Sequence, residues 1–214
     1  MIKIVSWNIR HGLGMDGVVD IRRVGETLKK LEADIYTIQE IDRGAARSGY
    51  EDQAAILSEI LGCAHHFTHI SSVPEGEYGI ATFSPLRMSD HTDMFLCRNK
   101  ENNTAQLSRF HIRQSVFDVV NLHAPWKHNT TYWKNLLEGF NLDQCILSGD
   151  FNLLPPSKLI HQFKEKYNWK NESATFIDGN TYDYTFVPYK VLSQEVIHTD
   201  QSDHFILVTT FDLW

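Results

Sequence analysis

The chain has 214 residues, 42% of them hydrophobic and 22% charged. A chain of that length fits one large domain or at most two small ones and can bury a sizeable core without staples, which excludes disordered, collagenous and coiled-coil classes. Its 20 basic and 27 acidic residues leave a net charge of −7, so it lacks the basic footprint of a protein that grips nucleic acid over a wide surface.

Ile2-Lys3-Ile4-Val5 opens the chain as a short strand and leads into polar residues and a glycine-rich turn at Gly12, Gly14 and Gly17. Ile21, Val24, Leu28 and Leu31 then recur at helical spacing, with Asp20 placed to cap the helix. A strand over 33–39 follows. Ala54, Ala55, Ile56, Leu57, Ile60 and Leu61 suit a second helix over 52–61, which Gly62 can close in the left-handed conformation.

From 64 to about 120 long helical periodicity disappears. Strands are predicted over 65–70, 79–83, 88–95, 104–112 and 116–121, a meander of antiparallel hairpins. A helix over 131–140, a strand over 144–148 and a helix from Pro155-Pro156 to about 167 come next, proline suiting a first helical turn. Strands over 181–188, 194–197 and 205–211 close the chain. There is no repeat, linker or low-complexity tract, so residues 1–214 read as one mixed α/β domain.

Cys63, Cys97 and Cys145 are odd in number and widely spaced, which supplies neither a disulfide framework nor paired zinc cysteines. The N-terminal run turns polar too soon for a signal peptide, and no stretch approaches the ~20 apolar residues of a membrane span. The expectation is a cytoplasmic protein.

Polar residues at the ends of apolar strands are the informative feature, because a strand end holds a side chain rigidly at the rim of the core. Trp7-Asn8, Gln39-Glu40, Asn121-Leu122-His123, Gly149-Asp150-Phe151-Asn152 and Ser202-Asp203-His204 are such places. A carboxylate there is costly unless it is paired or bound to metal. A hard cation such as Mg²⁺ takes one or two carboxylates and keeps open positions for phosphate oxygens. Glu40 and Asp203, with the neutral amides of Asn8 and Asn152, supply that set, while His123 and His204 suit proton transfer or charge stabilisation near neutral pH. Taken singly, each residue has an ordinary reading as a turn former, a cap, a solvated acid or a buried histidine.

The ordered series of these segments, together with Tyr78-Gly79-Ile80-Ala81 and Asp183-Tyr184, resembles the endonuclease/exonuclease/phosphatase superfamily over essentially the whole chain. The resemblance implies a four-layer α/β/β/α sandwich, two packed, mostly antiparallel mixed sheets flanked by helices. It also implies a Mg²⁺- or Mn²⁺-dependent phosphoester hydrolase. Carried over by residue, Glu40 is the principal metal ligand with Asn8 beside it, and Asp203 completes the metal surroundings. Asp150 and Asn152 orient the attacking water and the scissile phosphate. His204 is the general base or a phosphate contact held in its tautomer by Asp183, the base role lying open between Asp150 and His204. His123 stabilises the transition state or assists the leaving group, and Tyr78 touches the phosphate.

The sequence departs from the family at Ala81-Thr82-Phe83-Ser84-Pro85, where members often carry Leu-Ser-Arg, and at Thr185 in Asp183-Tyr184-Thr185-Phe186. The segment Asp42-Arg43 through Arg47-Ser48-Gly49 and Asp52-Gln53 resembles small bacterial members, which places Arg43 and Arg47 as second-tier phosphate contacts. The expected partner is a phosphoester, a small molecule or lipid headgroup favoured over nucleic acid by the acidic balance. A DNA or RNA nuclease and a catalytically silent protein of the same fold are the alternatives.

Other residues have plainer readings. His65, His66 and His69 suit a strand surface, since His65 and His69 share one face, His66 points away and no acidic partner is near in sequence. A zinc hydrolase built on that stretch is a distant reading. Trp126, Tyr132 and Trp133 are either a substrate platform or a helix packing face.

Overall fold

The computed structural model describes residues 1–97, 103–126 and 130–213. Among the described residues, eleven strands and four α-helices follow in chain order. They are β1 (Ile2–Asn8), α1 (Ile21–Lys30), β2 (Ile35–Arg43), α2 (Gln53–Leu61), β3 (Ala64–Val73), β4 (Gly76–Ser84), β5 (Arg87–Phe95) and β6 (Thr104–Ile112). The second half adds β7 (Ser115–His123), α3 (Thr130–Gly139), β8 (Cys145–Asp150), α4 (Lys158–Lys166), β9 (Asp183–Phe186), β10 (Lys190–Ile197) and β11 (Ile206–Asp212).

The helix ends obey local chemistry. Asp20 and Asp52 accept the N–H groups of Arg23 and Ala55, and Gly62 closes α2 at φ 66°. The strands run further than their apolar cores. β1 continues through Trp7 and Asn8, and β2 passes Gln39 to Arg43, because the ladder satisfies polar backbone whatever the side chain carries.

Six strands form one sheet in the order β10-β11-β1-β2-β4-β3, and five form the other in the order β5-β6-β7-β8-β9. Each sheet holds one parallel pair, β1 with β2 and β7 with β8, bridged by the crossover helices α1 and α3; every other neighbour is antiparallel. One helix-facing core joins Val5, Trp7, Tyr36 and Ile38 to Val24, Leu28 and Leu57. The other joins Leu122, Leu147, Tyr184 and Phe186 to Trp133, Leu136, Ile160 and Phe163. With the two sheets between these cores, the architecture is the expected four-layer sandwich.

Residues i and i+2 of a strand share a face, so the layer between the sheets can be read from sequence. β1 turns Ile2, Ile4, Ser6 and Asn8 inward, β2 Ile35, Thr37 and Gln39, β7 Phe117, Val119, Asn121 and His123, and β8 Ile146, Ser148 and Asp150. Along each strand the inward row passes from apolar residues to a hydroxyl or amide and then, on three of the four, to Asn8, His123 or Asp150. The apolar end is a core that also contains Phe110, Val187 and Phe211. The polar end is hydrogen-bonded across the layer. Thr37 Oγ1 lies 2.9 Å from Ser148 Oγ, which lies 3.0 Å from Thr185 Oγ1, and Gln39 Nε2 donates to Asn121 Oδ1 at 2.9 Å.

Glycines sit where backbones or helices meet closely. A Cβ on Gly149, at φ 145°, would lie 2.0 Å from Leu122 O on β7. One on Gly25 would lie 2.7 Å from Ile60 Cδ1, so α1 and α2 pack in direct contact there. Among the described residues, no helix is long and apolar enough to cross a membrane.

Candidate active site

Parallel strands leave their crossover connections at their C-terminal ends, where α/β folds form crevices. Here the C-terminal ends of both parallel pairs point the same way and deliver Asn8 and Glu40 from one sheet, His123 and Asp150 from the other. Asp183 is added by β9, which pairs with β8 in the register Asp150↔Asp183. His204 arrives just before β11, antiparallel to β1. Trp7 holds it there, its indole N–H donating to His204 O at 3.0 Å.

A bulge aims Glu40. Gln39 and Glu40 together oppose Ile80 between the pairs Ile38↔Ala81 and Ile41↔Gly79, and Glu40 takes φ 58°. Gln39 stays buried in the inter-sheet layer while Glu40 turns to the cleft, 24% exposed at its side chain. Asn152 is also left-handed, at φ 49°. Its N–H donates to Asp150 Oδ1 at 2.9 Å and its Nδ2 to Ala124 O at 2.8 Å, so this turn fixes the carboxylate of Asp150.

The predicted residues converge. Asn8 Nδ2 donates at 3.1 Å to both Glu40 Oε1 and Asp150 Oδ2, tying the two carboxylates together across the sheets. His123 Nε2 lies 3.9 Å from Glu40 Oε1 and 3.5 Å from Asp150 Oδ2. His204 Nε2 lies 3.7 Å from Asp150 Oδ2, and its Nδ1 lies 2.9 Å from Asp183 Oδ2. Tyr78 places its hydroxyl 3.2 Å from His123 Nδ1. Asp203 stands at the rim, 3.4 Å from Arg10 Nε. Arg47 lines a cavity beside Glu40, whereas Arg43 pairs with Glu77 and lies 4.5 Å over the Phe67 ring.

Burial drives the electrostatics. It pushes the Asp150 carboxyl up, against the pull of His204 and His123. It also pushes His123 down, with Asp150 opposing and His204 assisting, which favours the neutral ring. At His204 burial works the same way but is outweighed by the charges of Asp183 and Asp150 and the Asp183 hydrogen bond, so the pKa is pushed up to about 10. One buried histidine is thus biased neutral and the other charged, the separation that acid–base chemistry uses.

The donor set fits a hard divalent ion. Asp150 and Asp183 offer carboxylate oxygens within 4.8 Å of each other, with His204 held charged beside them, and buried Asp183 Oδ1 has no hydrogen-bond partner. Glu40 adds an oxygen at the edge, and the cysteines lie elsewhere, against the helix-facing cores.

Elsewhere the structure amends the sequence reading. Asp93 of β5 brings an acidic partner to His66, 3.0 Å from Nε2, a contact between the outer strands of the two sheets that sequence distance concealed. Tyr132 and Trp133 are buried packing residues, whereas Trp126 is 64% exposed with its ring 5.8 Å from that of Tyr182. Asp42 and Gln53 lie fully buried next to the cleft. In sequence they stand out only as part of the segment from Asp42 to Gln53 that resembles small bacterial members.

A two-sheet sandwich with acids and histidines gathered at the ends of its central strands defines a class of phosphoester-cleaving proteins. The family model described as the Endonuclease/Exonuclease/phosphatase family matches residues 5–204, and the chain belongs to that family, whose members are phosphoester hydrolases, typically dependent on divalent metal. A family protein from Leptotrichia buccalis superposes with TM-score 0.80 at 15% identity, covering 100% of both chains. The human Nocturnin catalytic domain with bound sulfate gives 0.77 at 19% identity over 99% of this chain and 93% of that one. A 3′ phosphatase from Neisseria, bound to a product DNA hairpin, gives 0.64 at 16% identity over 100% of both. At these identities the likeness is one of fold. No curated protein matches by sequence.

Proposed function

We propose that this chain is a Mg²⁺- or Mn²⁺-dependent phosphoester hydrolase. The observation that carries this reading is the meeting of Asn8, Glu40, His123, Asp150, Asp183 and His204 at one end of the inter-sheet layer, with the two histidines biased to opposite protonation states. Glu40 and Asp203 would hold the divalent ion, with Asp150 and Asp183 adding negative charge nearby and Asn8 keeping Glu40 and Asp150 in place. When bound, that ion supplies positive charge to the phosphate oxygens.

The protein's own groups do the rest. Asp150, held by Asn152 and Asn8, orients the attacking water and accepts its proton, its raised pKa making it the better base. His204, charged and locked by Asp183, donates a hydrogen bond to a phosphoryl oxygen, and this favours Asp150 over His204 as the base. Tyr78 steadies His123, which faces the ester oxygen. Water oxygen bonds to phosphorus as the opposite P–O ester bond breaks; the leaving oxygen takes a proton from solvent water to end as an alcohol, and the proton taken up by Asp150 returns to solvent. Positioning and electrostatics therefore dominate. A small phosphoester or lipid headgroup is the favoured substrate. The net charge of −7 favours it over extended nucleic acid.

The test is an activity panel with Mg²⁺ or Mn²⁺ across small phosphodiesters, inositol phosphates, sphingomyelin, RNA, plasmid DNA and abasic duplex. Some member is turned over, chelation stops it, and the metal raises Tm by mass action. His204→Ala and Glu40→Ala each lose on the order of 10²–10⁴ in turnover, and in the partly exposed Glu40 variant Tm changes little. Retained activity in either variant overturns the site assignment.

A further inference from the structure

A cavity of about 160 Å³ opens beside Glu40, lined also by Arg47, Ser71, Val73 and Tyr78. Arg47 is held there by a structure unlike that of a surface arginine. Its Nε and Nη2 donate at 2.8 and 2.7 Å to the carboxylate of Asp42, which is wholly buried. Asp42 is fixed in turn, its N–H donating at 2.9 Å to Gln53 Oε1, while Gln53 Nε2 donates at 2.8 Å to His11 O. The guanidinium lies 5.6 Å over the Tyr78 ring, and the side chain remains 41% exposed. Nη1 takes no part in these bonds, so one donor edge is left over.

A buried aspartate held by arginine is seldom the most stable solution for a core, since an apolar pair of similar volume does as well or better. What the pair provides is placement. A guanidinium clamped on one edge and stacked on one face presents its remaining donor in a fixed direction, the geometry that recognises phosphate. At about 160 Å³ the cavity has room for a phosphate group. Glu40 and Tyr78 form its wall, and the same two residues reach His123, so it adjoins the cleft at a distance of one side chain.

We infer that this cavity is a second anion subsite, in which Arg47 Nη1 and the Ser71 hydroxyl hold a phosphate of the substrate next to the one that is cleaved. The inference rests on the hydrolase reading above and narrows it to substrates with two neighbouring phosphates. Successive phosphates of a nucleotide chain and vicinal phosphates on a polyol share that chemistry.

Binding separates the possibilities without turnover. With Ca²⁺ as the cation, titration calorimetry compares thymidine 3′,5′-bisphosphate with thymidine 5′-monophosphate, and a vicinal inositol bisphosphate with inositol monophosphate. The expected result is at least tenfold tighter binding of the bisphosphate in one pair, which identifies the source. Arg47→Lys and the double variant Asp42→Asn with Arg47→Met reduce that ratio by on the order of tenfold, as expected for a charge-assisted hydrogen bond. The double variant avoids leaving Asp42 buried and unpaired. Equal affinities within both pairs in the wild-type protein, or variants that weaken both members of a pair equally, overturn the subsite. Failure of the hydrolase reading looks different: no substrate of the panel is turned over with metal, whatever the binding ratios.

Discussion

The layer between the two sheets has two unlike halves. Ile2, Ile4, Ile35, Phe110, Phe117, Val119 and Ile146 fill one as an ordinary apolar core. Ser6, Thr37, Gln39, Asn121, Ser148 and Thr185 fill the other, all fully buried and joined by hydrogen bonds. Apolar packing is non-directional and tolerates sliding, whereas a hydrogen-bonded amide or hydroxyl pair fixes one register. The half that fixes register is the half that carries the acids and histidines. The difference teaches that stability and placement are supplied by different ends of the same strands.

Substitutions can break this division. Phe110→Ala, in the apolar half, is expected to cost about 3–5 kcal/mol, read by denaturant unfolding, with the cleft geometry kept as long as the protein folds. Asn121→Leu, in the polar half, removes the acceptor of one Gln39 N–H and the donor to Ala81 O, leaving buried groups without that partner, and is expected to cost about 1–3 kcal/mol. Adding Gln39→Leu removes the unpaired Gln39 amide and recovers part of that loss while metal-dependent turnover stays impaired. A double variant as unstable as the sum of its parts would show that the polar half is ordinary packing.

The smallest effect near neutrality concerns pH. His204 has a folded pKa raised to about 10 from 6.5, so its contribution to stability is fully present below pH 6.5 and is lost as pH rises toward 10. The Tm of the metal-free protein should therefore decline over that window more steeply than that of His204→Gln. Parallel curves would separate His204 from the Asp183–Asp150 pair that is held to charge it.

The inward rows made most of the fold and much of the cleft legible in sequence. Ile4-Ser6-Asn8 and Val119-Asn121-His123 change from apolar to polar along one face, and that change marks the end of the strand that faces the site. Asp20, Asp52 and Gly62 declared their helix ends because capping is local chemistry. Contacts between distant chain segments were not legible. The Asp42–Arg47 pair spans a turn, the Gln53 link joins the start of α2 to the end of β2 at Asp42 and to the turn after β1 at His11, and Asp93 meets His66 across the edge of both sheets. The bulge at Glu40 was hidden too, since nothing in Gln39-Glu40-Ile41 announces a left-handed residue in a strand.

That left-handed backbone has an evolutionary side. Glu40 at φ 58° and Asn152 at φ 49° occupy a conformation in which glycine is relaxed and most other residues are strained. Under selection for folding alone, glycine should be enriched at position 40, whereas Asn152 already belongs to the few residue types that take this conformation readily. Under selection for turnover, the glutamate should persist at some expense in stability. Sequencing a library of this chain before and after each kind of selection would show whether the two pressures pull position 40 in opposite directions.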